Sequence, residues 1–294
     1  MEAFLEATAL LPPQLRRGAE ALPVLVQRRV EELRLRAGRV PTVVVGREEL
    51  PLPGCGPVAV QELDRTVELA TRASTHAALE RLRQGWFTVR GGHRLGLCGS
   101  LTTENGQLRG LRRLSSLDLR VARAVPSCGA GLVERLQEGG SLCSTLLLAP
   151  PGAGKTTLLR DLIRRVSDGV DGPALRVGLA DERGEVAALW EGIPQLPVGD
   201  RTDVVEGCPK DQGLMLLLRG MGPQVLACDE ITQAADCRAL AQCANCGVTL
   251  LATAHGRSVA DLETRPLYRT LLAQGLFRRV VLLDRHSWRV EALC

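Results

Sequence analysis

The chain has 294 residues, 45% of them hydrophobic and 24% charged, which is enough apolar material for one large domain or two ordinary ones with real cores. A formal net charge of +4 over the whole length, with only three Trp, one Tyr and three Phe, argues against a nucleic-acid partner, which would want a basic, ring-bearing surface. No stretch reaches the roughly 18 apolar residues of a membrane span, and ten scattered cysteines in a chain of this size read as free thiols of a reducing cytosol.

The first residues, MEAFLEATALLPPQLRR, lack a basic start followed by an apolar run, so no secretory signal is expected. A helix is predicted over Val24–Leu35 and a short strand over Pro41–Val45, before the breaker-rich PLPGCGP. Val60, Leu63, Val67, Ala70 and Ala73 recur at three- and four-residue steps, and Ala77–Leu82 continues this helical pattern. The period then switches to two. Trp86–Arg90 and His93–Leu97 flank Gly91–Gly92 as a hairpin with a two-residue turn, Asn105–Gly106 marks a second turn, and Leu117–Ala122 alternates as a half-buried strand should.

From about residue 130 apolar strands alternate with helices. Strands are expected at Thr145–Leu148, Val177–Leu179, Gln224–Cys228, Thr249–Ala252 and Val280–Leu283, and helices at Thr156–Val166, Asp211–Arg219, Ala234–Ala244 and Pro266–Gln274. Alternation of this kind predicts a parallel sheet covered on both faces. The expected layout is an N-terminal α+β domain over 1–124 and a larger α/β domain over 125–294.

The strongest chemical signal is Ala149-Pro150-Pro151-Gly152-Ala153-Gly154-Lys155-Thr156-Thr157, set between a predicted strand and helix. It matches G-x-x-x-x-G-K-[ST] with Ala149 in place of the first glycine. Such a loop, here Pro151 through Thr157, turns the backbone N–H groups of its non-proline residues onto phosphate oxygens, and the helix start adds its positive end. Lys155 is expected on the β- and γ-phosphates of ATP and the Thr156 hydroxyl on Mg²⁺. Only Lys155 and Lys210 are lysines in an arginine-rich chain.

A strand-end acid pair, Asp229-Glu230, follows Val225–Cys228, so Asp229 is expected at Mg²⁺ and Glu230 on the attacking water. Asp181, Glu182 and Glu185 end another strand, where they either join the metal and water network or cap the next helix. His255, after Thr253-Ala254, is expected to sense the γ-phosphate. Arg183, Arg201 and Arg219 are the candidates for neutralising charge on the transferred phosphoryl group. Cys237, Cys243 and Cys246 lie on a predicted core helix and read as small hydrophobes rather than zinc ligands.

Taken together, these motifs resemble the ATPases of the type II and type IV secretion and pilus-retraction superfamily. A closer likeness is to the stage III sporulation protein AA family of endospore-forming bacteria. It rests on Gly91–Gly99, Ser115–Leu117, Arg120–Arg123, Pro150–Asp161, Asp181–Arg183, Val198–Val204, Gly207–Lys210, Leu218–Arg219, Asp229–Glu230 and Ala252–Gly256. The resemblance implies a RecA-like P-loop ATPase domain behind a smaller α+β domain, using ATP and Mg²⁺, with Lys155, Glu182, Arg219, Glu230 and His255 as the catalytic set. It further implies a hexameric ring in the cytoplasm, peripheral at a membrane, that energises or assembles a mother cell–forespore channel by docking on membrane-embedded partners. The alternatives from the residues alone are a nucleic-acid-dependent translocase and an ATP-gated scaffold with little turnover.

Overall fold

A computed structural model describes residues 2–71, 85–104, 107–125, 127–284 and 287–293. The helical continuation through Ala77–Leu82 and the turn at Asn105–Gly106 lie outside these residues. The chain folds as two compact units, one of residues 1–123 with 188–195, the other of 124–187 with 196–294. The short segment 188–195, expected within the C-terminal domain, thus groups with the first unit.

In the first unit the helices α1 (Glu2–Thr8), α2 (Pro13–Glu20) and α3 (Val24–Gln27) precede three strands, β1 (Glu32–Arg36), β2 (Thr42–Val45) and β3 (Glu48–Pro51). After α4 (Val60–Thr71) come β4 (Trp86–Thr88) and the long hairpin of β5 (Arg94–Glu104) and β6 (Gln107–Arg120). All six strands form one antiparallel sheet in the order β3-β2-β1-β6-β5-β4. Its inner face carries Leu33, Leu35, Val43, Leu95 and Leu119 against Phe4, Leu15 and Leu63 of the helices.

Two expectations for this unit need correction. The helix predicted over Val24–Leu35 stops at Gln27, and Glu32–Arg36 is a strand. Its Glu-Leu-Arg-Leu-Arg alternation buries Leu33 and Leu35 while the charged residues face outward, where Arg34 pairs with Glu32 and Asp118. A strict period of two outweighed helical propensity once a neighbouring strand was available. The turn after β4 is also longer than two residues. Thr88 pairs with Arg94, and the Val89 N–H bonds the His93 carbonyl at 2.8 Å, so the loop spans five residues with Gly91 and Gly92 both at positive φ.

The second unit contains a seven-stranded sheet. In chain order its elements are α5 (Leu132–Arg135), β7 (Thr145–Ala149), α6 (Lys155–Asp168), β8 (Val177–Asp181), β9 (Thr202–Glu206), α7 (Lys210–Gly220), β10 (Val225–Cys228), α8 (Ala234–Asn245), β11 (Thr249–His255), α9 (Val259–Glu263), α10 (Pro266–Ala273), β12 (Arg279–Asp284) and β13 (Ser287–Ala292). The sheet order is β9-β8-β10-β11-β7-β12-β13, parallel throughout except for the antiparallel edge strand β13. Every residue of β7, β8 and β10 is buried, as expected of strands covered on both faces. The two outer strands β9 and β13 escaped the sequence reading because edge strands need no continuous apolar run; theirs read Thr-Asp-Val-Val-Glu and Ser-Trp-Arg-Val-Glu-Ala.

Among the described residues, no helix is long and apolar enough to cross a membrane.

Candidate functional site

Because β7 to β12 run parallel, the C-terminal ends of β7, β8, β10 and β11 share one edge of the sheet, where open α/β sheets bind ligands. One strand, β11, lies between the P-loop strand β7 and the acid-bearing strand β10.

The loop between β7 and α6 turns through Gly152 at φ 72° and Gly154 at φ 95°. Both values lie in the left-handed region that a Cβ penalises. Gly154 is the N-cap residue of α6, so the N–H groups of the first turn, from Lys155 onward, have no partner within the helix. Ala149 stands one residue before the loop, buried at the strand end and outside the left-handed region. An alanine therefore fits there without strain, although the motif usually has glycine.

Lys155 is only 7% exposed. Its ammonium donates to His255 Nδ1 at 2.8 Å and reaches the Ala149 carbonyl at 3.4 Å. Burial holds its pKa below the usual lysine value, while the charges of Asp229 and Glu230 act in the opposite direction. An ammonium can only donate, so His255 accepts at Nδ1 and carries its proton on Nε2, which faces Glu230 Oε1 at 3.1 Å. Lysine, histidine and glutamate thus form one line across the edge.

The Thr156 hydroxyl, in the first turn of α6, donates to Asp229 Oδ2 at 2.7 Å. The other carboxylate oxygen of Asp229 receives the Thr253 hydroxyl at 2.6 Å and the Glu230 N–H at 3.0 Å. Thr253 Oγ1 also accepts the Glu230 N–H at 2.8 Å. Glu230 has φ 40°, an uncommon value for a non-glycine residue and worth about 1–3 kcal/mol of strain. The paired hydrogen bonds to its N–H hold it there and turn its carboxylate toward His255 and toward Arg183, 3.6 Å away.

Of the three acids after β8, Asp181 is almost fully buried and accepts the N–H groups of Glu185, Val186 and Ala187. Burial raises its pKa, and these three bonds oppose the rise. It therefore ties down the loop that follows β8 rather than capping a helix. Arg160 of α6 grips the same loop through the carbonyls of Glu185 and Val186, each at 2.6 Å. Glu182 pairs with Lys210 at the start of α7, and Lys210 is just 5% exposed. Both lysines of the chain are thus buried at this edge.

The arginines separate cleanly. Arg183 borders Glu230. Arg219 is exposed in the last turn of α7, which has run back to the opposite edge of the sheet. Arg201 precedes β9 at that same far edge and bonds Ser167 near the end of α6. Neither residue stands at the candidate site, because each lies at the wrong end of its helix or strand. Sequence reading also passed over Thr253, Arg160 and Lys210 as working residues; a hydroxyl two residues before His255 on the same strand was the available signal for Thr253. Cys237 and Cys243 pack in the core formed with α7 and α8, and burial pushes the Cys243 thiol up to about 11.

Thr156 and Asp229 offer a hydroxyl and a carboxylate oxygen. Such a hard-oxygen pair suits Mg²⁺, which usually completes its shell with waters and substrate phosphates. Among the described residues no three His, Cys, Asp or Glu side chains gather into a metal cage. The exposed loop, the unpaired N–H groups of α6 and the buried lysine suit a polyphosphate.

A family model for sporulation stage III protein AA matches residues 6–291. The chain belongs to that family. It is 35% identical to stage III sporulation protein AA of Bacillus subtilis (strain 168) over 281 residues, 95% of this chain and 91% of that protein. Among solved structures, the ATPase DotB of Yersinia pseudotuberculosis superposes with a TM-score of 0.59 at 13% identity, covering 92% of this chain and 75% of that one. The pilus retraction motor PilT with bound ADP gives a TM-score of 0.58 at 13% identity, covering 93% and 84%. This member of the sporulation family thus has an α/β fold like those of DotB and PilT, built on a largely parallel sheet.

Proposed function

We propose that this chain is a Mg-ATP-hydrolysing motor ATPase of the secretion type. The observation that carries the reading is the 2.7 Å hydrogen bond from the Thr156 hydroxyl to Asp229, which joins a P-loop helix to an acid-bearing strand two positions away in the sheet. Phosphates would sit on the loop from Pro151 to Thr157, with Lys155 leaving His255 to meet them. Bound Mg²⁺, held by Thr156 and Asp229, would neutralise charge on the phosphate oxygens. Glu230 accepts a proton from water as the water oxygen bonds the γ-phosphorus. The bond from that phosphorus to the β-γ bridging oxygen breaks, and ADP and inorganic phosphate leave. His255, bonded to both Lys155 and Glu230, is suited to report γ-phosphate occupancy to the base. Arg183 is suited to stabilise the transferred charge, and Glu182 works through Lys210 to fix the strand end.

The family to which the chain belongs, and the motor and ATPase named in the two structural relatives, support the wider reading. The protein works at the cytoplasmic face of a membrane as a homo-oligomeric ring, a hexamer, docked on membrane-embedded sporulation proteins of the mother cell–forespore channel. We further take 1–124 and 125–294 as its domains, with closure around nucleotide as the source of motion. Phosphate release from MgATP by the wild type, absent in Lys155→Ala with an unchanged circular dichroism spectrum, is the expected result. Equal release by the variant would end this reading. Solution mass with and without a non-hydrolysable ATP analogue tests the ring.

A further inference from the structure

The P-loop strand β7 has different neighbours on its two sides. On one side, β11 and β10 bring His255, Asp229 and Glu230; on the other, β12 and β13 bring a hairpin whose Leu283 pairs with Trp288. β12 runs in register with β7, Leu282 opposite Leu148, so Leu283 stands level with the end of the P-loop strand. A Cβ built on Gly154 would come within 4.0 Å of Leu283 Cδ2, so this ledge abuts the start of α6. A cavity of about 440 Å³ opens there, lined by Pro150, Leu282, Leu283, Ser287, Trp288 and Arg257 among others.

The indole of Trp288 is held in place. Its Nε1–H donates to the Cys128 carbonyl at 3.2 Å, and the Arg135 guanidinium lies 5.3 Å from the ring centroid. With its one polar edge spent and Arg135 over one face, the ring has its other face left for stacking, flanked by leucine and proline. Such a slot suits a flat heteroaromatic ring, with the Ser287 hydroxyl, the Asp284 carboxylate and the cationic side chains of Arg257 and Arg289 at the rim for its polar edge and its sugar.

We propose that this cavity is the base subsite, taking the purine ring of the nucleoside triphosphate, with Trp288 as its stacking platform. The inference rests on the phosphate reading of the loop, which fixes the polarity. If the γ end of the phosphate chain faces Asp229 and Glu230, the nucleoside end points away from β10 and β11, toward β12 and β13.

Binding of MgADP and of magnesium pyrophosphate to the full chain, measured by calorimetry, tests the subsite. Wild type is expected to bind ADP more tightly than pyrophosphate. Trp288→Ala should weaken ADP about tenfold or more, the scale of one lost base–aromatic stack, and leave pyrophosphate unchanged. Trp288→Phe, which keeps a ring, should retain ADP affinity and lose the fluorescence quenching that ADP, but not pyrophosphate, causes in the wild type. ADP bound no better than pyrophosphate by wild type, or equal losses of both ligands in Trp288→Ala, would overturn the subsite alone. Failure of wild type to bind even pyrophosphate would overturn the phosphate reading and the subsite with it.

Discussion

Thr253 Oγ1 receives the Glu230 N–H at 2.8 Å while giving its own proton to Asp229 at 2.6 Å. One fully buried hydroxyl on the middle strand therefore orients both acids of the neighbouring strand, and it does so where the Glu230 backbone is least comfortable. Removing the hydroxyl at constant shape should cost activity without unfolding the core. Thr253→Val is expected to lower kcat about 10- to 100-fold, the usual effect of losing a partner that orients a metal ligand, and to raise the Mg²⁺ concentration needed for half-maximal rate. Thr253→Ser should restore most of both. A valine variant with wild-type kcat and Mg²⁺ dependence would show that Asp229 and Glu230 hold their places unaided.

Glu230 is the proposed base, and its removal should separate binding from turnover. Glu230→Gln keeps the size of the side chain and its contact with His255 but cannot take a proton. Turnover should fall about 10²- to 10⁴-fold, the range for losing a general base, with nucleotide affinity equal to or tighter than that of the wild type. Single-turnover phosphate release beside a nucleotide-binding isotherm checks this. A Gln variant that turns over normally would move the base to another group.

The parts of this architecture that were legible in the sequence are those whose chemistry leaves little choice. That the Gly152–Lys155 loop and Asp229-Glu230 would meet could be read because each follows an apolar strand, and parallel strands bring their C-terminal ends to one edge. The five central strands were legible because burial on both faces demands continuous apolar runs. What failed depended on neighbours distant in the chain. Glu32–Arg36 is helical or extended according to whether β6 lies alongside, and Arg201 and Arg219 could be placed only once the direction of each element across the sheet was known. Thr253 left only its place two residues before His255 as a signal, since its two partners lie 23 and 24 residues earlier in the chain.

Lys155 lies 2.8 Å from His255, and on the proposed reading a bound phosphate would draw the lysine away. His255→Ala removes the lysine's partner and the Nε2 contact to Glu230 together. If His255 links phosphate occupancy to the base, the variant should bind nucleotide at least as well as the wild type and hydrolyse it about tenfold or more slowly, the scale of one charge-assisted hydrogen bond. Equal losses in affinity and rate would instead mark His255 as a phosphate ligand only.

In the first unit, stability should depend on pH through His93. This residue is fully buried, its Nδ1 accepts the Ala122 N–H at 3.1 Å, and Nε2 has no hydrogen-bond partner among the described residues. Burial, with the Arg123 charge adding to it, pushes its pKa down to about 4 from 6.5. The folded unit holds the neutral ring, whereas the unfolded chain takes up a proton near pH 6.5. Stability is therefore complete above that pH and drains away as the pH falls toward 4, because the unfolded state binds the extra proton across this window. A pKa difference of that size between folded and unfolded chain is worth about 3 kcal/mol. His93→Asn retains an acceptor close to the Nδ1 position and does not titrate. Urea unfolding at pH 7 and pH 4.5 should show a steeper loss for wild type than for the variant, the gap being most of that energy. Parallel losses in the two proteins would mean that His93 gains a proton in the fold and that its surroundings, Arg123 included, rearrange to accept it.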